Sequence, residues 1–508
     1  MTQDQALNIL KTGASVFLTG EPGSGKSYTI KSYIDYLIQK NVSPSVTAST
    51  GIASTHIGGM TIHSWSGLGI KSDLSVYDLE AMLEKEYVVK RISKAKVLII
   101  DEISMLSANT LDMLERVCSY IRHNESKPFG GLQVIFVGDF FQLPPIVKTS
   151  DRLSSLEMFE NSPLAFNSPA WNKTSPVVCY LTEQHRQSDL EFVSVLKNIR
   201  EDKVDTKVHD ILQKRILKNK DMSGGVQKVT KLYSHNIHVD KVNNLELGLI
   251  SDKIKIFEMT KTGRDFIVDN LVKNCLSPYK LELKKGAKVM CTKNNPEKGF
   301  VNGSVGEVVK FSSTTTFPIV RFTSEKGYVR EIEIEPMEWS VDDGGKKVAT
   351  IKQIPLRLAW AMTIHKSQGM SLDEAMMDIS NVFEYGQGYV ALSRVRTLAG
   401  LHLIGYNDMA LKVHPEVLGK DIEFKQNSID AEYEFNKITP TEMYKIHENY
   451  INSVATVGGP EKEKSSYFAY KKKGFKTGSS FAKKPAKKKT KSYDIDSDID
   501  YESFDVIY

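Results

Sequence analysis

Cysteine is scarce in this chain: Cys118, Cys179, Cys275 and Cys291 stand far apart among 508 residues. They form no CxxC pair and no Cys/His cluster, which argues against a disulfide framework or a structural zinc site. Long apolar runs are missing as well. No stretch approaches the ~18 consecutive apolar residues of a membrane span, so no membrane-spanning role is expected. The opening residues, MTQDQALNILKTG, have neither a basic start nor an apolar run suited to a secretory signal. A soluble chain of the cytosol, or of the nucleus in a eukaryotic host, is the expectation. Charge of one sign is also thin. The formal net charge is +5, and Thr456–Tyr508 alone carries 12 Lys against 8 Asp or Glu, leaving +1 for residues 1–455. Net charge therefore points to no partner for the body of the chain.

What is present is an ordinary globular composition, 41% hydrophobic and 25% charged, long enough for about three domains. Through the first 180 residues, short apolar runs alternate with amphipathic stretches. SVFLTG (15–20), SVTAST (45–50), KVLIID (96–101), QVIFVGD (133–139) and VVCYL (177–181) read as buried strands. Helical segments such as Lys26–Gln39 and Ala108–Arg122 separate them, which predicts a parallel α/β sheet covered on both faces. Residues from Glu191 to about Ile250 are mostly helical, with a strand near KLYS (231–234). Residues 286–353 hold short strands between Gly- and Asn-containing turns, predicting a small antiparallel β-module. Within it Glu331, Glu333 and Glu335 alternate with Ile332 and Ile334, the pattern of one solvated strand face rather than of a metal site. After it, α/β character returns, so the module reads as an insertion in a second α/β domain.

GEPGSGKS, Gly20, Glu21, Pro22, Gly23, Ser24, Gly25, Lys26 and Ser27, lies between a predicted strand and a predicted helix. That is the context a P-loop needs. Gly23 and Gly25 allow backbone N–H groups to wrap a phosphate at the positive end of a helix. Lys26 brings charge to the β/γ-phosphates of ATP, and the Ser27 hydroxyl suits Mg²⁺. Asp101 and Glu102 end an apolar strand; Asp101 is placed to hold the Mg²⁺ shell and Glu102 to orient or deprotonate the attacking water. GDFFQLPP (138–145) presents Gln142 as a γ-phosphate sensor, while LTEQHRQ supplies Arg186 and YVALSRVR supplies Arg394 and Arg396. Guanidinium groups match the spread-out charge of phosphoryl transfer, although each arginine alone also reads as a surface or ion-pair residue.

The series GEPGSGKS, TASTGIAS, GGMTIHSWSGLG, IIDEISML, GGLQVIFVGDFFQLPP, LTEQHRQ, LAWAMTIHKSQGMSLD and GYVALSRVRTLAGL strongly resembles the petite-integration-frequency (Pif) helicases, superfamily 1B motors related to the RecD helicases. The resemblance covers roughly residues 2–410. It implies two RecA-like P-loop motor domains with an SH3-like β-module inserted in the second. The expected boundaries are 1–182 for the first motor, 183–285 plus 354–425 for the second, 286–353 for the module, 426–455 for a helical extension and 456–508 for a disordered tail. It further implies an ATP hydrolase driving 5′→3′ translocation on single-stranded DNA and unwinding of duplex or forked DNA, G-quadruplexes or R-loops. Replication, repair, recombination and telomere maintenance are the settings it suggests, with a monomeric motor.

By the same resemblance, Gln5 recognises adenine, Gln368 and Gly369 link ATP to DNA, and Arg186 and Arg394 reach the γ-phosphate across the cleft. Expected DNA contacts are Thr50, Gly51, His63 and Trp65 from the first motor and Thr363, His365 and Lys366 from the second. Hydroxyls, backbone N–H groups and a lysine suit phosphates, and an indole suits base stacking. Second readings stay open: Trp65, His63 and His365 as core residues, and Lys366 as a solvated charge. The chain starts almost at the Gln5 motif, so no targeting extension is expected. Lys471–Lys473, Lys483–Lys484 and Lys487–Lys489 form a basic tract followed by DIDSDIDYESFDVIY, suited to nucleic acid and to a replication-protein partner respectively. The competing functions are an assembly ATPase that acts on DNA without strand separation, and a RecD-like subunit of a larger complex.

Overall fold

Continuous apolar strands form where a sheet is buried on both faces, and the first sheet shows why. Its six strands are β1 (Val16–Gly20), β2 (Ser45–Ala48), β3 (Met60–Thr61), β4 (Val97–Asp101), β5 (Gln133–Val137) and β6 (Val177–Leu181). All are parallel, in the order β3-β2-β4-β5-β1-β6. Period-2 alternation divides their side chains between two cores. Phe17, Leu98, Ile100, Val134, Phe136 and Val178 join the larger core on one face. Val16, Leu18, Val97, Ile99, Ile135, Val137 and Cys179 face the other, beneath α1 (Gln3–Lys11) and α2 (Lys26–Gln39). The computed structural model describes residues 1–50, 53, 60–69, 71, 73–145, 162–184, 189–217, 229–263, 265–293, 295, 297–300, 304–323, 329–343, 346–369 and 372–455. All belong to one unit, Met1–Ala455; expectations for 456–508 lie outside the described residues.

The strand β7 (Thr230–Tyr233) opens the second parallel sheet. A block of antiparallel structure follows. β8 (Lys255–Glu258) pairs with β10 (Lys280–Leu283), and β9 (Thr260–Gly263) pairs with β16 (Lys346–Gln353), itself paired with β15 (Met337–Asp343). β11 (Lys288–Cys291), β12 (Val305–Phe311), β13 (Pro318–Thr323), β14 (Val329–Glu333) and β17 (Leu356–Leu358) form a five-stranded sheet ordered β14-β13-β12-β11-β17. The antiparallel structure thus spans 255–358 in three sheets with two separate cores, wider than the 286–353 expected. Glu331 lies opposite Arg321 and is exposed, the solvated face that alternation implied.

β18 (Ala361–Thr363), β19 (Ala375–Ile379) and β20 (Leu401–Tyr406) complete the second parallel sheet, ordered β18-β7-β19-β20. The helix Asn236–Leu249 covers it, fastened where the buried Asn243 amide exchanges hydrogen bonds with both main-chain groups of Ala361. Two parallel sheets of this kind match the pair of RecA-like domains that the resemblance implies.

The chain then returns to the first motor. The helix Pro415–Asn436 lays Phe424 against Phe17, Phe140, Phe166 and Trp171, and its Ser428 hydroxyl accepts the Tyr180 N–H of β6. The boundary expected at 425 therefore falls inside a single helix, one that packs on the first sheet. The helix Pro440–Val454 closes over α1: a Cβ on Gly13 would come within 2.3 Å of the Tyr450 ring.

Candidate active site

The P-loop carries β1 into α2, and its geometry follows from glycine. Gly25 caps α2 with φ 92°, a left-handed conformation costly for other residues, and a Cβ there would lie 2.0 Å from Gln3 Nε2. Gln3 Nε2 donates to the Ser24 carbonyl at 3.3 Å. Gln184 Nε2 donates to Glu21 Oε2 at 3.1 Å and to the Pro22 carbonyl at 3.2 Å, bracing the loop from the end of β6. No acid occupies the first turn of α2, so its N-terminal field remains available to an anion. Lys26 Nζ donates to the Gly20 and Glu21 carbonyls at 2.7 and 3.0 Å, which holds its charge beside the loop.

Asp101 ends β4, and its Oδ1 accepts the Glu102 N–H at 2.9 Å. Glu102 itself adopts φ 53°, ψ 47°, an uncommon backbone for a residue with a side chain. Burial pushes both carboxyls above the usual range; the Glu102 N–H and Lys26 oppose this at Asp101. At Glu102 the Asp101 carboxylate adds to the rise, while Lys26 and Arg394 oppose it. Gln368 Nε2, from the second motor, donates to Glu102 Oε2 at 2.9 Å and so bridges the cleft. Gln142 follows β5, 7% exposed, with its N–H bonded to the Asp139 carbonyl and its Nε2 to Asp139 Oδ2 at 3.3 Å.

These groups meet in two cavities. One, about 420 Å³, is lined by Gly23, Gly25, Lys26, Ser27, Glu102 and Gln142 of the first motor and Gly369, Arg394 and Arg396 of the second. The other, about 270 Å³, is lined by Lys26, Ser27, Thr50, Asp101, Glu102 and Gln142 with His365, Gln368 and Gly369. Arg394 is 1% exposed; its Nε donates to the Val390 carbonyl and its Nη2 to Ser393 Oγ, both at 2.8 Å. A glycine cradle at a helix N-terminus, a lysine, paired carboxylates and a buried arginine from across the cleft fit a nucleotide polyphosphate. Ser27 and Asp101 share the smaller cavity, so a cation ligated mainly by phosphate and water fits there too.

Not every expected residue converges on these cavities. Gln5 sits in the capping box of α1: its Oε1 accepts the Thr2 N–H and its Nε2 donates to Glu432 Oε1, both at 2.8 Å. The nearby residue that does touch the P-loop is Gln3. Gly51 and Arg186 lie outside the described residues. Trp65 is 2% exposed and belongs to the large core, its Nε1 without a hydrogen-bond partner among the described residues. Its expected base-stacking face is buried, because the short helix Ile62–Ser66 turns the indole inward. His63 on the same helix is half-buried, and burial lowers its pKa. Thr363 is buried, and its hydroxyl accepts the Lys366 N–H at 3.3 Å, shaping the turn. His365, which does line the smaller cavity, and Lys366 are half-buried beyond it. Burial, then the neighbouring Arg357, pulls Lys366 down to about 8, against the opposing charge of Asp240.

Arg200 was invisible to motif reading. It ends the helix Leu190–Arg200, whose buried stripe runs Phe192, Val195, Leu196, Ile199 and Arg200. Arginine on an apolar stripe was the available signal. Its Nη1 donates to Asp139 Oδ1 and Oδ2 at 2.8 and 2.9 Å, and its Nη2 to the Tyr180 hydroxyl at 2.9 Å. Burial lowers its hold on the proton, and the charge of Asp139, with Tyr180, Tyr389 and Asp421, more than restores it.

A P-loop cleft closed by a second RecA-like domain defines a two-domain motor ATPase. The description "PIF1-like helicase" matches residues 3–212, and "DNA helicase Pif1, 2B domain" matches residues 267–311. The chain is 40% identical to the ATP-dependent DNA helicase Pif1 of Psychrobacter sp., over 89% of this chain and 75% of that one. The crystal structure of Pif1 helicase from Candida albicans superposes with a TM-score of 0.72 at 32% identity, covering 84% of this chain and 98% of that one. Pif1 helicase from Bacteroides, in complex with ADP-AlF3 and ssDNA, gives a TM-score of 0.62 at 31% identity, covering 84% and 96%. This chain belongs to the Pif1-like helicase family.

Proposed function

We infer that the chain is an ATP-dependent DNA helicase that translocates 5′→3′ on single-stranded DNA and separates duplex or forked DNA ahead of it. The observation that carries this reading is the hydrogen bond from Gln368 to Glu102 at 2.9 Å. A second-motor residue thereby holds the acid proposed as the base for the attacking water, a link that supports coupling between hydrolysis and the relative position of the motors. The names of the relatives, ATP-dependent DNA helicases, and the Bacteroides structure with ADP-AlF3 and ssDNA support the same substrate pair.

In this mechanism Lys26 and the P-loop N–H groups bind the β/γ-phosphates. Ser27 and Asp101 would hold Mg²⁺, which supplies charge neutralisation at the transferred phosphoryl group. Glu102 takes the proton of the attacking water, and its raised pKa suits a base working near neutrality. Gln142 senses the γ-phosphate, while Arg394 and Arg186 stabilise the charge of the transition state. Thr50, Gly51 and His63 in the first motor and Thr363, His365 and Lys366 in the second form the two DNA-gripping sets. Contacts to phosphate rather than to base edges let one step repeat on any sequence.

Strand displacement on duplexes carrying a 5′ or a 3′ single-stranded overhang tests the reading. The expected result is ATP-dependent unwinding of the 5′-overhang substrate only, lost in Lys26→Ala with single-strand binding retained. DNA-stimulated hydrolysis without displacement on either substrate would favour the assembly ATPase instead.

A further inference from the structure

The Arg200 cluster joins four parts of the molecule. Asp139, following β5, receives both Nη1 bonds and is also the carboxylate that accepts Gln142 Nε2. Tyr180 lies on β6. Tyr389, on the second-motor helix Gln387–Leu392, places its hydroxyl 3.4 Å from Arg200 Nη1 and its ring 6.0 Å from the guanidinium. Asp421, on the helix Pro415–Asn436, lies 3.6 Å from Nη2, and the Phe141 ring packs 4.0 Å from the guanidinium. Arg200 is 2% exposed and Asp139 fully buried.

Stability alone is a weak reason for this arrangement. Two desolvated charges are often replaced by well-packed apolar groups without loss, and Arg200 Nε has no hydrogen-bond partner among the described residues. Placement offers a better reason. Tyr389 lies five residues before Arg394, whose Nε bonds to the Val390 carbonyl. At Gly386 the same second-motor segment approaches the first so closely that a Cβ would come within 2.4 Å of the Phe141 carbonyl oxygen and 2.7 Å of that of Gln142. The Gln142 side chain is thus held by Asp139, which Arg200 links to Tyr389, and its main-chain carbonyl faces Gly386 directly.

We propose that Arg200 is a positioning residue that, through Asp139, sets Gln142 in the ATP cleft according to the position of the second motor. It rests on the reading of Gln142 as a nucleotide-site residue. When the Gln387–Leu392 helix shifts against the first motor, Tyr389 and Arg200 shift the carboxylate that holds the Gln142 amide. Arg394, on the turn that follows, moves with them.

The test is a cycle of Arg200→Lys and Gln142→Ala, reading DNA-stimulated kcat per active site, KM for ATP and thermal stability. Arg200→Lys is expected to lower kcat about tenfold with KM changed less than about twofold, the signature of an interaction made in the transition state. In the Gln142→Ala background it should lower kcat no further, since both changes remove one shared function. Two results would overturn the proposal: effects that multiply, or a kcat per active site that Arg200→Lys leaves unchanged while only stability falls. If Arg200→Lys fails to fold, Tyr389→Phe, which deletes one hydroxyl, is run through the same cycle under the same two criteria. Full activity in Gln142→Ala alone would instead remove Gln142 from the ATP site, and the proposal with it.

Discussion

Lys366 and Trp65 show how burial changes what a side chain can do. A lysine pulled down to about 8 by burial and by Arg357 is charged at pH 7 and mostly neutral at pH 9. Because the folded pKa lies below the unfolded one, this group adds stability as pH rises above about 8 and opposes it below. For the proposed contact of Lys366 with a DNA phosphate the sign is opposite, since the phosphate needs the ammonium. Single-strand affinity of the native protein is therefore expected to weaken between pH 7 and 9 at fixed salt. Lys366→Arg should flatten that profile, because a guanidinium keeps its charge throughout. Lys366→Ala should reduce the salt slope by about 1. An unchanged pH profile in Lys366→Arg would remove Lys366 from the DNA contacts. Trp65, 2% exposed, belongs to packing. Trp65→Ala is expected to cost about 3–5 kcal/mol in urea unfolding; a variant of native stability with weakened DNA binding would restore the stacking role.

At the scale of elements, the two C-terminal helices clasp the start of the chain. Gln133 uses all its bonding capacity here: its Oε1 accepts from the Tyr33 and Tyr450 hydroxyls at 2.8 and 2.7 Å, and its Nε2 donates to the Leu10 and Ala14 carbonyls at 2.9 and 2.8 Å. Lys40 pairs with Glu448, and Glu432 holds Gln5. Gly13→Ala is expected to cost about 1 kcal/mol from its left-handed backbone and more from collision with the Tyr450 ring. Removing residues 440–508 should leave only the backbone part, as urea midpoints of the four proteins would show. An equal cost in both lengths would mean that the helix does not rest on Gly13.

Little of that clasp was legible in the sequence. β1, β4 and β5 announce themselves because burial on both faces demands unbroken apolar runs. The P-loop announces itself because phosphate binding needs glycine at set positions. β3, two residues long, carries no periodicity. Neither does the five-residue helix Ile62–Ser66, so the side on which Trp65 falls was open. The docking of Pro415–Asn436 and Pro440–Val454 onto the first sheet, like the Arg200–Asp139 pair, joins residues far apart in sequence. Local pattern cannot encode such contacts.

For the whole molecule, the charge is unevenly distributed along the chain. Residues 1–455 are nearly neutral at +1, and Thr456–Tyr508 carries 12 Lys, with no acid between Ser465 and Ser492. A motor that must release DNA at every step is served by a few placed contacts in a neutral body. A lysine tract adds affinity through counterion release at no fixed register. Deleting 456–508 should therefore leave DNA-stimulated hydrolysis per bound motor intact. It should lower single-strand affinity at low salt and flatten the dependence of log K on log salt by about 0.7 for each phosphate the lysines neutralise. At high salt, where screening removes the lysine contribution, the two proteins should bind alike. Equal slopes with and without 456–508 would place the lysines away from DNA. A loss of hydrolysis per bound motor would make those residues part of the catalytic body, since the cleft from Gly20 to Arg396 would then depend on them.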